Sequence, residues 1–397
     1  MIDFSSIKCV SLKHMSNEIP IDFQFGLGAA NEARNFHQTF HGYEPTPLVN
    51  LQRLANQLGV AAIYVKDESR RFNLNAFKVL GGSYAVARII ASKLGMSTDE
   101  MTFENLTSDE TRAKLGRITL VTATDGNHGR GVAWTANRLG QRCVVFMPQG
   151  SARERLENIR ALGAEASITD MNYDDTVRHA ADYANKTGGI LVQDTSKPGY
   201  EEIPAMIMQG YLTMADEAAE QLDGVAPTHI FLQAGVGSMA GAVTGYFAAK
   251  YGDMRPKITI VEPNAADCNY RTALADDGEL HSVGGSLNTI MAGLACGEPC
   301  AVSWRVLRAY ADSFISMPDD VSAIGMRVLG APIAGDERII SGESGAAGFG
   351  IAFSALYYNE LESLKKELGL NANSRILCFS TEGATDSENY RRITWGA

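Results

Sequence analysis

The chain has 397 residues, of which 45% are hydrophobic and 20% are charged, so it is long enough for two domains with buried cores. Its net charge of −11 argues against nucleic-acid binding, because that binding requires a positive surface. The sequence contains no apolar run near the ~20 uncharged residues that a membrane helix needs. Its N-terminus lacks the apolar core of a secretory signal. These features predict a globular protein of the cytoplasm.

The six cysteines are scattered without a CxxC pair, so they indicate neither a disulfide framework nor a zinc site. Cys268 and Cys296 fall in two loop-like segments, and the sequence leaves open whether they form a disulfide. No metal ion is expected.

The predicted elements begin with about 40 weakly patterned residues, which we expect to lie as an extension on the main body. The segment around Thr46 is predicted to be extended, because Pro45 and Pro47 disfavour the α conformation in the residues before them. Helical spacing over residues 51–58 predicts a helix, and a β-branched run over 62–66 predicts a strand. A helix-like apolar run follows at 83–94.

Strand and helix patterns then alternate from residue 84 to 195 and again from 203, which predicts right-handed βαβ units and parallel sheets. A loop-rich segment at 264–300 interrupts the second block. The predicted strands are 118–122, 142–147, 165–168, 190–194, 229–232, 258–262 and 375–379. The predicted helices are 131–139, 153–162, 173–186, 203–222, 239–251 and two around 319–329 and 346–368. Because no linker separates the blocks, we expect an α/β fold of two interleaved, doubly wound domains, with residues 84–195 inserted as a small domain between 1–83 and 196–397.

Lys78 lies among apolar neighbours in the run N-A-F-K-V-L-G-G, although lysine normally faces solvent. One interpretation is a surface lysine that extends its amine into water at a helix start. The other is a partly desolvated lysine whose pKa falls, so that its amine can form a Schiff base. Taken alone, the run favours the surface interpretation.

A glycine-rich run, Q-A-G-V-G-S-M-A-G at 233–241, follows a predicted strand and opens a helix. The free N–H groups and the positive dipole end of such a helix suit a phosphate group. A tight turn without a ligand has the same sequence. The spacing fits a dinucleotide fingerprint poorly, although Glu262 at the end of the next strand can mimic its ribose-binding carboxylate.

A second glycine loop, T-A-T-D-G-N-H-G-R-G at 122–131, sets Asn127 and His128 at a strand-to-helix turn, where they either bind a ligand or cap the helix. The last strand ends in F-S-T-E-G at 379–383. Its hydroxyls, on Ser380 and Thr381, lie at the carboxyl end of the sheet, where ligands of open α/β sheets bind. The same sequence is also typical of an ordinary turn.

Together and in this order, the four runs resemble the pyridoxal-phosphate enzymes of the tryptophan synthase β-subunit type (fold type II), from Pro45 onward. The resemblance implies that Lys78 forms a Schiff base with pyridoxal 5′-phosphate and that Asn127 hydrogen-bonds the 3′ oxygen of the cofactor. It implies that the phosphate is held by Gly235, Val236, Gly237, Ser238, Met239 and Gly241. Ser380 or Thr381 would face the pyridine nitrogen, and the spacing favours Ser380. A hydroxyl there leaves the ring unprotonated, which suits β-elimination.

Asp125 departs from the serine that this family commonly has in the second glycine loop. A carboxylate beside the cofactor can pair with a second ammonium group of the substrate, or act as a base opposite Lys78. Asp194 is the second candidate carboxylate, and Thr46 completes the predicted substrate contacts. For each aspartate the alternative is a capping or turn carboxylate.

Five runs, among them V-K-D-E-S at 65–69 and I-S-G-E-S-G at 340–345, resemble the family members that eliminate ammonia from 2,3-diaminopropionate. The resemblance implies conversion of its D and L isomers to pyruvate and two ammonia by a homodimer, with a small amino acid and neither nucleic acid nor membrane as partner. A serine or threonine dehydratase of the same fold type is the alternative. A non-catalytic nucleotide-binding module is a third interpretation, from another class.

Overall fold

Two separate β-sheets organise the part of the chain described by this computed structural model, residues 3–12 and 23–396. The strands are β1 (Lys8–Ser11), β2 (Leu48–Asn50), β3 (Ala62–Asp67), β4 (Thr119–Ala123), β5 (Arg142–Met147), β6 (Glu165–Ile168), β7 (Ile190–Leu191), β8 (His229–Gln233), β9 (Lys257–Pro263), β10 (Ser313–Met317) and β11 (Arg375–Ser380).

The helices cover both sheets. They are α1 (Leu27–Gln38), α2 (Gln52–Leu58), α3 (Val79–Leu94), α4 (Phe103–Thr107), α5 (Asp109–Leu115), α6 (Asn127–Arg138), α7 (Arg153–Arg160), α8 (Tyr173–Thr187), α9 (Glu202–Gln221), α10 (Ser238–Tyr251), α11 (Cys268–Ala275), α12 (Ala301–Tyr310), α13 (Asp319–Gly330), α14 (Ala347–Tyr357), α15 (Glu362–Leu368) and α16 (Ser387–Trp395).

The larger sheet has the order β1-β10-β9-β8-β11-β3-β2, and the smaller sheet has the order β6-β5-β4-β7. The smaller sheet is parallel throughout. In the larger sheet only the edge strands β1 and β2 run antiparallel to their neighbours. The predicted α/β class with parallel sheets is therefore confirmed. All four strands of the smaller sheet fall within 84–195, while the domain boundaries themselves stay a prediction.

The N-terminal region is more regular than its weak pattern indicates. β1 pairs with β10 at one edge of the larger sheet, and α1 packs against α9. The buried face of α1 consists of Ala30, Ala33, Phe36 and His37. Two alanines and a histidine give little hydrophobic contrast, so the periodicity of this helix is hard to detect.

Glycines let two helices approach the first turn of α3 closely, directly after Lys78. A Cβ on Gly81 would lie 2.5 Å from Cε1 of Tyr211 in α9, and a Cβ on Gly131 in α6 would lie 2.8 Å from Cα of Val79. The start of α3 is therefore clamped between α6 and α9. None of the described helices is long and apolar enough to cross a membrane.

Candidate active site

Lys78 is held against the C-terminal loop by backbone hydrogen bonds. The N–H of Phe77 donates to the carbonyl of Thr381 at 3.1 Å, and the N–H of Gly383 donates to the carbonyl of Asn75 at 3.0 Å. Asn75 adopts φ +60°, a left-handed conformation that asparagine tolerates better than most residues. Two of the four predicted runs are thus joined, which sets the lysine beside the terminal hydroxyl pair.

Lys78 lines a cavity together with most of the predicted site residues. The predicted residues in its wall are Lys78, Asn127, Asp194, Gly235, Val236, Gly237, Ser238, Met239 and Thr381. Phe77, Tyr173, Tyr211 and Gln233 also line it. Four sequence runs that are far apart in the chain therefore meet at one cavity.

Lys78 forms an ion pair with Asp194, whose Oδ2 lies 2.9 Å from Nζ. Burial alone would lower the pKa of Lys78, but Asp194 first, and then Tyr211, Asp125 and Cys296, together outweigh burial and raise it. In the same way, burial would raise the pKa of Asp194, while Lys78 and then His128 lower it. The predicted fall in the lysine pKa is wrong, because several groups together compensate the desolvation, and the first of them, Asp194, lies 116 residues away in the sequence.

Asp194 itself is held by several further contacts. The hydroxyl of Tyr173 donates to Oδ1 at 3.3 Å, and the amide of Gln193 donates to the same atom at 3.2 Å. The hydroxyl of Ser238 donates to the Asp194 backbone carbonyl. His128 donates from Nε2 to the carbonyl of Val192 at 2.8 Å, so its Nδ1 faces Asp194, 4.0 Å from Oδ2. Burial lowers the pKa of His128.

The glycine loop before α10 has no room for a side chain at two positions. A Cβ on Gly235 would lie 3.0 Å from Sγ of Cys296, and one on Gly237 would lie 3.0 Å from Oδ1 of Asn269. Gly237 also has φ +100°, which side chains disfavour. Because the loop lines the cavity at a helix N-terminus, it suits a phosphate. With the amine of Lys78, the amide of Asn127 and the hydroxyl of Thr381, the cavity fits pyridoxal 5′-phosphate.

Gly241 is placed differently from the rest of its loop. It is not among the described residues that line the cavity, and a Cβ there would lie 3.1 Å from Cα of Ser303 in α12. The close packing of α10 on α12 therefore explains why a glycine stands at position 241, without a ligand.

The two adjacent hydroxyls at the end of β11 face different surroundings. Thr381 lines the cavity, whereas the hydroxyl of Ser380 is buried and donates to Oγ of Ser341 at 2.8 Å. The spacing favours Ser380, but the geometry favours Thr381.

Thr46 does not reach the cavity. Its hydroxyl donates to Glu68, and its carbonyl accepts from Nζ of Lys66 at 2.6 Å. It belongs to a buried cluster of ion pairs with Arg71 and Glu217. The structure therefore gives no support to Thr46 as a substrate contact and explains it as part of this cluster.

Asp125 lies in a larger, open cleft next to the cavity. Tyr173 lines both spaces, and a Cβ on the cavity residue Gly293 would lie 3.6 Å from Oδ2 of Asp125. The carboxylate is paired with Arg155, whose Nη1 lies 3.3 Å from Oδ2. Asp125 therefore stands where the open cleft meets the cavity.

Arg155 is a site residue that the sequence pattern does not reveal. It is buried, and besides Asp125 it contacts Oγ1 of Thr385 at 3.1 Å and lies 3.9 Å from Oε2 of Glu343. Burial would lower the pKa of Arg155, but Glu382, Asp125 and Glu343 together raise it. Burial, followed by Glu382, raises the pKa of Glu343 to about 7. The only sequence signal for Arg155 was its position one turn after a loop containing glycine and serine.

Glu262 does not act as a ribose-binding carboxylate. It is fully buried and accepts hydrogen bonds from the backbone N–H groups of Asn269 and Tyr270 at 2.9 and 2.6 Å, which caps α11. Cys268 and Cys296 are both buried and free. Within residues 3–12 and 23–396, no group of three or more His, Cys, Asp or Glu side chains is arranged to hold a metal ion.

The fold and the site are those of a fold type II pyridoxal-phosphate enzyme, and comparisons with known proteins agree. The family described as pyridoxal-phosphate dependent enzyme matches residues 39–378. The diaminopropionate ammonia-lyase of Escherichia coli K12 is 52% identical over 374 residues, which are 94% of this chain and 92% of that protein.

Two crystal structures of the Escherichia coli diaminopropionate ammonia-lyase are also similar. The complex with D-serine has a TM-score of 0.92 at 49% identity and covers 98% of this chain and 97% of that one. The complex with the aminoacrylate-PLP azomethine reaction intermediate has a TM-score of 0.90 at 48% identity, with the same coverage. This chain belongs to the pyridoxal-phosphate dependent enzymes, and within them to the diaminopropionate ammonia-lyases.

Proposed function

We propose that the protein is a carbon–nitrogen lyase that converts D- and L-2,3-diaminopropionate to pyruvate and two ammonia by α,β-elimination. The observation that carries the proposal is the meeting of Lys78 and the glycine loop in one cavity, with Asp125 at its mouth. The names of the relatives, which are diaminopropionate ammonia-lyases at about half identity, support it. It is an elimination that needs a cofactor, a base and a recognition site for a second ammonium group.

The residues that would hold pyridoxal 5′-phosphate are all in the cavity wall. Lys78 would bind it covalently, the loop from Gly235 to Met239 would hold its phosphate, and Asn127 and Thr381 would contact its ring. When bound, the cofactor supplies an electron sink that stabilises negative charge at the α-carbon of an amino acid.

Proton transfer falls to Lys78 and Asp125. With its amine unprotonated, Lys78 can take an α-proton. That proton, held at Nζ beside the Asp194 carboxylate, is then available to a β-amino group that leaves as ammonia. Asp125 is a carboxylate that can bind a second ammonium group or take an α-proton from the side opposite to the lysine. Two bases on opposite sides would let both isomers react.

A homodimer in the cytoplasm is part of the same proposal. The family resemblance supports the dimer, and the six free cysteines agree with a reducing compartment. Light scattering of the purified protein tests the assembly, and a mass of one chain would contradict it.

Steady-state turnover of D- and L-diaminopropionate beside D- and L-serine tests the reaction. We expect diaminopropionate to react faster than serine, since Asp125 can pair with its β-ammonium group. Faster turnover of serine would establish the dehydratase alternative. A colourless protein, in which borohydride bleaches nothing, would instead support a non-catalytic binding module.

Substitution at Asp125 separates its two possible roles. We expect Asp125→Asn to lower kcat for the D isomer on the order of 10²-fold, the usual contribution of a general base, and to affect the L isomer less. Asp109→Asn is the matched control, because its side chain is fully exposed at 103%. Equal losses with both isomers would show that Asp125 binds the substrate and does not act as a base.

Lys78→Ala tests the covalent attachment. We expect it to lose turnover of both isomers and the visible absorbance of the bound cofactor. A variant that still holds cofactor covalently would show that another residue is the attachment site.

A further inference from the structure

Gln233 is a buried amide in the wall of the proposed cofactor cavity. It is the last residue of β8, immediately before the phosphate loop, and it is 2% exposed. Its Nε2 lies 2.8 Å from Oγ1 of Thr381, 2.9 Å from the carbonyl oxygen of Phe379 and 3.4 Å from that of Gly345. The amide therefore links β8 to the hydroxyl that lines the cavity.

The two carbonyl oxygens fix the direction of these hydrogen bonds. A carbonyl oxygen can only accept, so the nitrogen of the amide, and not its oxygen, must face Phe379 and Gly345. The same nitrogen faces Thr381, whose hydroxyl oxygen must then accept a hydrogen bond. An accepting hydroxyl keeps its own hydrogen for another partner.

The hydroxyl of Thr381 has one direction left for that hydrogen. Within residues 3–12 and 23–396, no other protein atom takes part in a hydrogen bond with this hydroxyl. Thr381 lines the cavity, and its carbonyl accepts from the N–H of Phe77, next to Lys78. Ser380 offers no substitute, because its hydroxyl donates to Ser341.

We propose that Gln233 is a positioning residue that fixes the Thr381 hydroxyl as the hydrogen-bond donor to the ring nitrogen of pyridoxal 5′-phosphate. The inference rests on the proposed function, because it requires the cofactor in this cavity. A ring nitrogen that accepts a hydrogen bond carries no proton. Gln233 thus sets the protonation state of the ring through the polarity of its hydrogen bond to Thr381.

The test is the ¹⁵N chemical shift of the ring nitrogen in full-length holoenzyme reconstituted with ¹⁵N-labelled pyridoxal 5′-phosphate. We expect the wild type to give the shift of an unprotonated, hydrogen-bonded nitrogen. Thr381→Val removes the donor and should move the shift toward that of a free nitrogen. Gln233→Met, which keeps the shape of the side chain, should move it in the same direction, and the double variant should add nothing further.

Gln221→Met is the matched control, because the amide of Gln221 donates to the carbonyl of Thr46 at 2.9 Å, away from the cavity. It should leave the shift at the wild-type value. We also expect Gln233→Met to weaken retention of the cofactor about 5- to 10-fold, as loss of one net hydrogen bond does.

A wild-type shift in Gln233→Met together with a changed shift in Thr381→Val would overturn the proposal. The Thr381 hydroxyl would then donate to the ring nitrogen without the hydrogen bond from Gln233. An unchanged shift in Thr381→Val would overturn it as well.

If Gln233→Met does not retain the cofactor, Gln233→Glu is measured in its place. A carboxylate there accepts from Thr381 and should abolish the hydrogen bond to the ring, so a wild-type shift contradicts the proposal. Failure of the wild type to bind cofactor would instead contradict the proposed function.

Discussion

Arg155 is the cation that allows several carboxylates to gather beside the cavity. Asp125 and Glu343 lie within 3.3 and 3.9 Å of its guanidinium. Glu382, which accepts a hydrogen bond from the N–H of Ser344 at 3.0 Å, adds to the same negative field. A charge that is buried without a partner is costly, so the arginine stabilises the carboxylates that gather around it.

We expect Arg155→Met to destabilise the protein by about 3 kcal/mol, because buried carboxylates lose their counter-charge. Turnover should fall as well, since Asp125 loses the contact that orients it, and Arg155→Lys should restore part of both. Chemical unfolding and steady-state kinetics measure the two effects. Arg153→Met, in the same helix but on its exposed face, is the control. If it is as damaging as Arg155→Met, the effect belongs to the helix and not to the buried cation.

Prediction from the sequence identifies the site residues whose chemistry coincides with a local backbone signal. Lys78, Asn127 and the loop from Gly235 to Met239 stand at strand or helix boundaries marked by glycine, and all of them line the cavity. The residues that it misses depend on partners far along the chain. Gln233 is 148 residues from Thr381, and Arg155 is 230 residues from Thr385. No local pattern distinguishes a buried arginine or glutamine of this kind from a surface one.

At the scale of elements, the alternating pattern gives the order of strands and helices, but not how strands end. β7 stops at Leu191, although the apolar run predicts a strand to residue 194. The side chain of Gln193 accepts from the N–H of Ala123 at 2.9 Å, in place of a backbone carbonyl. Because this side chain takes the place of a backbone hydrogen bond, the backbone can turn after Leu191, and the turn brings Asp194 to Lys78. β10 and α12 were not predicted from the sequence.

The contact between α3 and α9 places the lysine, and it depends on two glycines. A Cβ on Gly210 in α9 would lie 2.8 Å from Cα of Gly81 in α3, which is closer than such atoms approach. Alanine at position 210 must therefore separate the two helices. Lys78 immediately precedes α3 and would move with it.

We expect Gly210→Ala to destabilise the protein by about 1–3 kcal/mol, the usual cost of overpacking, and to lower kcat through displacement of Lys78. Thermal unfolding and turnover measure both. Gly28→Ala is the matched control, since Gly28 is exposed in α1 with no atom within 4 Å of its Cβ position. There alanine should stabilise the helix by up to about 1 kcal/mol. A neutral Gly210→Ala would mean that the helices are not in close contact.

At the scale of the whole molecule, one buried cluster of ion pairs ties the larger sheet to the helix that follows the predicted insertion. Nζ of Lys66 in β3 lies 2.7 Å from Oε2 of Glu217 in α9. Arg71 bridges Glu217 and Glu68 at 2.7 and 2.9 Å. All four side chains are at most 1% exposed. Solvent therefore does not screen these charges, and loss of one partner leaves the others unpaired.

Glu217 should make the stability of the protein depend on pH at the acidic end. Burial would raise its pKa, but Arg71 and then Lys66 lower it from 4.5 to about 2. A carboxyl with a lowered pKa stabilises the fold above its unfolded value and loses that contribution as the pH falls through the folded value. Glu217→Gln should therefore be less stable by about 3 kcal/mol at pH 7, and its deficit should shrink between pH 4.5 and 2. Urea unfolding at several pH values measures the deficit.

Glu220→Gln is the control, because the side chain of Glu220 is 65% exposed in the same helix. It should lower the free energy of unfolding by less than about 1 kcal/mol. A deficit for Glu217→Gln that stays constant with pH would show that Glu217 is not the ionised centre of the cluster.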